Sequence, residues 1–326
     1  MIYNEEYKKA FLKTLNLKKA SEDRYLNLFN NAGVQEHSLK KDLYNMDFEE
    51  LELVFYRLQT PKTRTLISYI TLIKNYITWA KHNGYSDSNV HPIVEQIGSS
   101  FVEKYLNKEA LIHYTRDELF EAMNGLINVQ DKAIILCAFE GIRGKGLCEL
   151  LNMRYIDLSK TDDGKYYVHL LTDTVNLIPR DLEISQELYE LLIEAYELPT
   201  YENTTGTVNT VLSGEFIFRR NRGKSPDVRL TSNKINIAFS KIYKEALEDE
   251  ALTYTSIVES GVMFYTNEML DEKRVITKDI ANQIIDKFGL YKLNLAGKLY
   301  PSYVRFKDVI NDDFFSSKYG DFTYEF

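Results

Sequence analysis

Only two cysteines, Cys137 and Cys148, occur among the 326 residues. Both stand in apolar, helix-forming surroundings, so buried reduced thiols are expected and not a disulfide framework, which points to the cytoplasm. No run approaches the roughly eighteen uninterrupted apolar residues that a membrane-spanning helix requires, which excludes a membrane partner. The opening "MIYNEEYKKAFLK" carries acids within its first six residues and lacks an apolar stretch, so it reads as helix and not as a secretion signal. Five histidines lie scattered without cysteine or acidic partners at ligand spacing, so neither a metal site nor a cofactor is expected. Internal repeats and low-complexity tracts are absent as well. What remains, with 44% apolar and 27% charged residues, is a globular chain long enough for two ordinary domains.

The net charge of −8 at first argues against a nucleic-acid partner. The average conceals segregation along the chain, and local patches decide binding. From Leu53 to Ser86 there is no acid, while Arg57, Lys62, Arg64, Lys74 and Lys81 are present. From Arg219 to Lys244 eight Lys/Arg stand against Asp227 alone, a net of +7. The acids gather instead at 42–52 and at 245–272, where eight Asp/Glu occur with no Lys or Arg.

The first hundred residues read as four helices: "NEEYKKAFLKTLN", "SEDRYLNLFNNA", "DFEELELVFYRLQ" and "TPKTRTLISYITLIKNYITWAKHNGY", the first three starting near Asn, Ser and Asp caps. In the fourth, Pro61 fits the first helical position, where its missing N–H costs nothing. Leu66, Ile70, Ile73, Ile77 and Ala80 form one apolar stripe, widened by Tyr69, Leu72, Tyr76 and Trp79. The opposite face carries Arg64, Ser68, Thr71, Asn75 and Thr78 with Lys74 and Lys81 beside it, and has no carboxylate. Residues 86–113 read as the end of this bundle running into a connecting segment. A second unit opens at "YTRDELFEAM", where Thr115 and Glu118 have the spacing of a capping box, two reciprocal bonds that fix a helix start. Helices are expected at about 129–140 and 146–153, then two strands in "KYYVHLLTDTVNLIPRDLEIS" around a turn near Thr172–Thr174. The helix "QELYELLIEAYEL" follows, then a short strand at "GEFIF", a basic loop, and a helix capped by Thr231 or Ser232. The remainder reads as helical at 252–270, 277–288 and about 291–309.

That order of elements is similar to the tyrosine recombinase (phage integrase) family over nearly the whole chain. "TRTLISYITLIKNYITWAKHNGY" resembles the last helices of the family's core-binding domain, and "YTRDELFEAM" the opening helix of its catalytic domain. "FEGIRGKGLCELLNMRYIDL" resembles the box holding the first catalytic arginine, which places Arg143 in that role. The resemblance implies a mainly α fold with a small β-sheet, in two domains: a helical core-binding domain at 1–108 and an α+β catalytic-type domain at 114–326. It also implies double-stranded DNA as partner.

The family's chemistry needs two arginines and a histidine or tryptophan around the phosphorane, a lysine on the hairpin as acid, a second histidine, and a nucleophilic tyrosine. Here no Lys occurs between Lys165 and Arg180, no histidine follows His169, and the best counterpart of the second box offers Val258 and Glu259. Glu259 would bring negative charge to a place that must hold more of it. Arg143 stands six residues before Glu149 where the family usually has three, and alignment from "ELLNM" puts the slot on Gly146; a lengthened Gly-Lys-Gly turn reconciles the two. Arg143 is thus either a phosphate contact or a surface arginine in a turn. Tyr300 or Tyr303 lies roughly where the nucleophile belongs, in a chain with 24 tyrosines.

The expected function is therefore sequence-specific DNA binding on a recombinase scaffold that no longer cuts. The expected contacts are Lys62, Arg64, Lys74, Arg143, Lys145, Arg219, Arg220, Arg222, Lys224, Arg229 and Lys234. Within the family, the chain is most similar to catalytically silent, integrase-like repressors of SPbeta-type prophages, which implies a role in lysogeny. Two alternatives stay open: an active, divergent recombinase using Tyr300 or Tyr303, and a protein-interaction module. The acidic 245–272 segment and the aromatic tail could serve the latter, toward a co-regulator or a second copy of the chain.

Overall fold

A computed structural model describes residues 1–58, 60, 63–86, 104–105, 112–173, 178–221, 223, 226–246, 252–289, 292–295 and 298–326. The chain divides into two units, Met1–Leu111 and Ile112–Phe326, each with its own hydrophobic core. Among the described residues no helix is long and apolar enough to cross a membrane.

The first unit is built on α1 (Glu5–Thr14), α2 (Lys19–Leu39), α3 (Phe48–Arg57) and α4 (Thr63–His82). The stripe on α4 is the core face as expected, with Leu66, Ile70, Ile73, Ile77 and Ala80 all buried. Asp47 caps α3 and exchanges bonds with Glu50, each 2.9 Å. The other two expected caps are corrected. Ser21 lies inside α2, which starts after Lys18, and Asn4 makes no cap bond because its amide donates to Asp42 (3.0 Å). Gly33 falls within α2 because a Cβ there would stand 2.5 Å from the Met1 carbonyl, where the chain start crosses the helix. Under this crossing lies an ionic cluster. The Lys8 ammonium, fully buried, donates to Glu36 (2.7 Å), Asp42 (3.1 Å) and the Tyr3 carbonyl (2.7 Å), and the Tyr76 hydroxyl donates to Asp42 (3.3 Å).

The second unit begins with α5 (Arg116–Met123), whose Thr115–Glu118 capping box is present, and α6 (Val129–Phe139), buried on nearly every side. A short α7 (Cys148–Asn152) leads to the antiparallel sheet of β1 (Leu158–Lys160), β2 (Tyr166–Asp173) and β3 (Ile178–Ile184), in the order β1-β2-β3. After α8 (Gln186–Glu197) come a hairpin of β4 (Thr200–Glu202) and β5 (Val208–Thr210), then α9 (Ser232–Ile237), capped by Thr231. A π-helical turn (Ala238–Ile242) joins α9 to α10 (Tyr243–Ala246). The long α11 (Tyr254–Glu268) packs on α6, and β6 (Val275–Ile276) and α12 (Lys278–Lys287) follow. The chain then forms the hairpin β7 (Lys292–Leu295) and β8 (Lys298–Pro301), the helices α13 (Tyr303–Lys307) and α14 (Asp312–Tyr319), and β9 (Thr323–Tyr324).

Two expectations are revised here. The segment from 291 is a hairpin before it is a helix. "GEFIF" forms no strand, only a bridge between Phe216 and Arg154. The aromatic tail packs on its own unit: β9 runs parallel to β6, and Phe322, Tyr324 and Phe326 lie against the core.

Candidate nucleic-acid interface

The loop carrying Arg143 leaves α6 through Gly141 (φ +90°) and turns through Gly144 and Gly146, both at φ +65°, a conformation that favours glycine. At Gly144 a Cβ would also meet the Cys148 sulfur at 2.5 Å, so the tight path requires glycine twice over. The loop is held from below by the buried Glu149, whose Oε2 accepts the Arg143 backbone N–H at 2.8 Å. Glu149 is held in turn by Arg180 of β3, whose Nε and terminal nitrogen donate to its two oxygens at 2.7 and 2.8 Å. The same guanidinium donates to the carbonyls of Gly141 (2.8 Å) and Asp286 (3.2 Å), and to that of Lys287. From α11, the Tyr254 hydroxyl donates to the Ile142 carbonyl at 2.8 Å; burial pushes that hydroxyl's pKa up, against the pull of Arg143 and Arg180. Backbone and buried partners thus fix the loop. The Arg143 side chain is half-buried and Lys145 exposed, and neither side chain has a hydrogen bond or ion pair among the described residues.

The positions expected to be catalytic have the following surroundings. Val258 is in the core. Glu259 is buried with its carboxylate 3.5 Å from the buried His113 ring. The Tyr303 hydroxyl donates to Asn282 (3.0 Å), and its ring centroid lies 4.8 Å from that of Phe326. Tyr300, on β8 opposite Leu293, is 46% exposed. Neither tyrosine shares a hydrogen bond with Arg143, Lys145 or a histidine among the described residues.

The basic segment is less available than its composition suggests. Arg219 is only 8% exposed; it donates to the Tyr196 carbonyl and lies over the Tyr196 ring at 4.9 Å. Arg229 clasps Asp227 through Nε (3.0 Å) and a terminal nitrogen (2.7 Å), and its other terminal nitrogen donates to Asn152. This grip holds the Asp227 carboxyl down to about 2. Arg220 donates to the Asp227 carbonyl. Arg219 and Arg229 thus brace neighbouring segments of the fold. Lys234 is exposed on the first turn of α9, and Lys74 is half-buried on α4. Lys62, Arg222, Lys224 and the side chain of Arg64 lie outside the described residues.

Arg229 to Asn152, the Ile217 N–H to the Met153 carbonyl (2.9 Å) and the Arg154–Phe216 bridge join the basic segment to the helix that follows the Arg143 loop. Sequence reading missed Arg180, because nothing local in "LIPRDLEI" marks a partner thirty-one residues away.

One solved structure shares this architecture. A lambda integrase dimer bound to a COC' core site aligns over 88% of this chain and 94% of that one, with TM-score 0.50 at 10% identity, a likeness of fold. A XerA recombinase covers 97% of this chain and 98% of its own, with TM-score 0.43 at 14% identity. The SPbeta prophage-derived uncharacterized protein YopR of Bacillus subtilis (strain 168) is 26% identical over 333 residues, 98% of this chain and 97% of that protein. Residues 2–82 match the family described as MrpR, N-terminal core-binding domain, and residues 113–320 that described as MrpR, C-terminal catalytic domain. With the tyrosine-recombinase fold in place and both of its domains matched, the chain belongs to the MrpR family.

Proposed function

We propose that the protein binds double-stranded DNA at specific sequences, uses its recombinase scaffold without cutting, and represses transcription in a prophage to maintain lysogeny. The observation that carries this reading is that the Arg143 side chain has no hydrogen bond or ion pair among the described residues. Its loop is held by Glu149, Arg180 and Tyr254, yet no histidine, lysine or tyrosine shares a hydrogen bond with its side chain among the described residues. Removing one donor to a developing oxyanion typically slows such chemistry by roughly 10²–10³-fold, and here several are missing together. The core-site DNA bound by the lambda integrase relative and the prophage origin of the Bacillus relative support DNA and lysogeny as context. Phosphate contacts from Arg143, Lys145 and Lys234 would position the duplex, and base edges would supply specificity.

Selection of oligonucleotides by the purified protein tests binding: a recurrent site is expected, with affinity falling steeply as salt rises. A nicked suicide duplex tests the chemistry, and no covalent adduct is expected. The exposure of Tyr300 favours a second reading, a divergent recombinase. An adduct that disappears in Tyr300→Phe would establish it in place of the first.

A further inference from the structure

A cleft of about 750 Å³ opens in the second unit beside α6, the β4–β5 hairpin and α9, a volume typical of small-molecule sites. One part of its lining is apolar, with Leu126, Ile134, Leu230, Ile235 and Ala238. The polar part is built from buried groups. Asp131 accepts the hydroxyls of Tyr243 and Tyr201, both at 2.9 Å, and the Asn128 amide at 3.1 Å, so both of its oxygens are occupied. Arg219 lines the same cleft, and its buried Nε–H has no acceptor among the described residues. A buried donor without an acceptor is costly, more so on a charged group, and an arriving anion would relieve it. Arg220 and Lys234 add positive charge to the lining, and Glu202 is the second acid in it. An independent feature lies in the helix. The π-helical turn at Ala238–Ile242 widens α9 next to the cleft, with Ala238 in the lining and Tyr243 just beyond, bonded to Asp131. Such turns are rare and occur frequently at functional sites.

We propose that this cleft binds a small organic anion, a carboxylate or a phosphate attached to an apolar body. The anionic head lies against the Arg219 guanidinium with Arg220 and Lys234 beside it, and the body lies on the Leu126–Leu230–Ile235 wall. Arg143, Tyr300 and Tyr303 take no part, so this site is separate from the positions of the ancestral chemistry.

The full chain is titrated with octanoate and with phenyl phosphate, and with 1-octanol and inorganic phosphate as the two halves of the ligand. Calorimetry and thermal unfolding are the readouts. Saturable binding of octanoate or phenyl phosphate that raises Tm is expected, at least about tenfold tighter than either half molecule. Which of the two binds assigns the head as carboxylate or phosphate. Arg219→Lys keeps the charge but loses the fork, and Ile237→Trp fills the cleft from a partly exposed position without removing a hydrogen bond; each should weaken binding by about tenfold or more. Should Arg219→Lys fail to fold, Ile237→Trp decides. The proposal is overturned if no probe saturates, if octanol binds as tightly as octanoate, or if folded Ile237→Trp binds like the parent chain. No DNA enters these measurements, so the outcome is independent of the DNA-binding reading.

Discussion

Arg180 closes the Arg143 loop onto Glu149 with a bidentate pair, and Glu149 is buried. Removing one partner of such a pair strands the other charge. Arg180→Ala should therefore destabilise the second unit by about 3–5 kcal/mol in urea unfolding. Arg143→Ala, with no bond from its side chain among the described residues, should leave stability within about 0.5 kcal/mol. In the first unit, burial raises the Glu36 carboxyl to about 7, although Lys8 pulls it down. The folded chain holds that proton more tightly than the unfolded chain, whose carboxyl has the ordinary value near 4.5. Its contribution to stability is thus complete at acid pH and is lost as pH rises from that range through 7. Glu36→Gln should flatten the fall in stability between pH 5 and 7.5, measured as the difference from the parent chain; an unchanged slope would show that Glu36 does not titrate there.

Among the elements, α11 meets the end of α6 at Gly261, where a Cβ would stand 1.7 Å from the Phe139 carbonyl. On an exposed helix Gly→Ala would stabilise by up to about 1 kcal/mol. Here the sign reverses: Gly261→Ala should lower stability by about 1–3 kcal/mol or more in thermal or urea unfolding. Periodicity revealed α4 because its stripe faces a single core, and the Thr115 capping box was visible because its two bonds are local. The hairpin of β7 and β8 escaped, although "KLNL" and "KLYP" alternate at period two, because short apolar runs satisfy helix and strand patterns alike. The cap misread at Asn4 has another cause. The crossing of the chain start over α2 is tertiary, and it takes Asn4 to Asp42.

At the scale of the whole molecule the division between charge count and charge availability matters most. Composition marks eight cations at 219–244, yet Arg219 and Arg229 brace the fold and Arg220 reaches the Asp227 carbonyl. Each of Arg143→Ala, Lys145→Ala and Lys234→Ala should reduce the slope of log K against log salt by about 1 in DNA titrations, roughly equally across sequences. Arg229→Ala should instead lower stability while leaving that slope nearly unchanged.

The sequence by itself determined the two-unit recombinase-like order of elements, the segregation of charge, and the missing lysine and histidines. These depend on residue identity and local period, which a linear string preserves. Only the tertiary structure decided which arginines face inward, that Glu259 meets His113, that Tyr303 meets Asn282, and that a cleft opens around Arg219. Each of these depends on partners distant in the chain, and a guanidinium pairs with whichever acceptor folding brings near it.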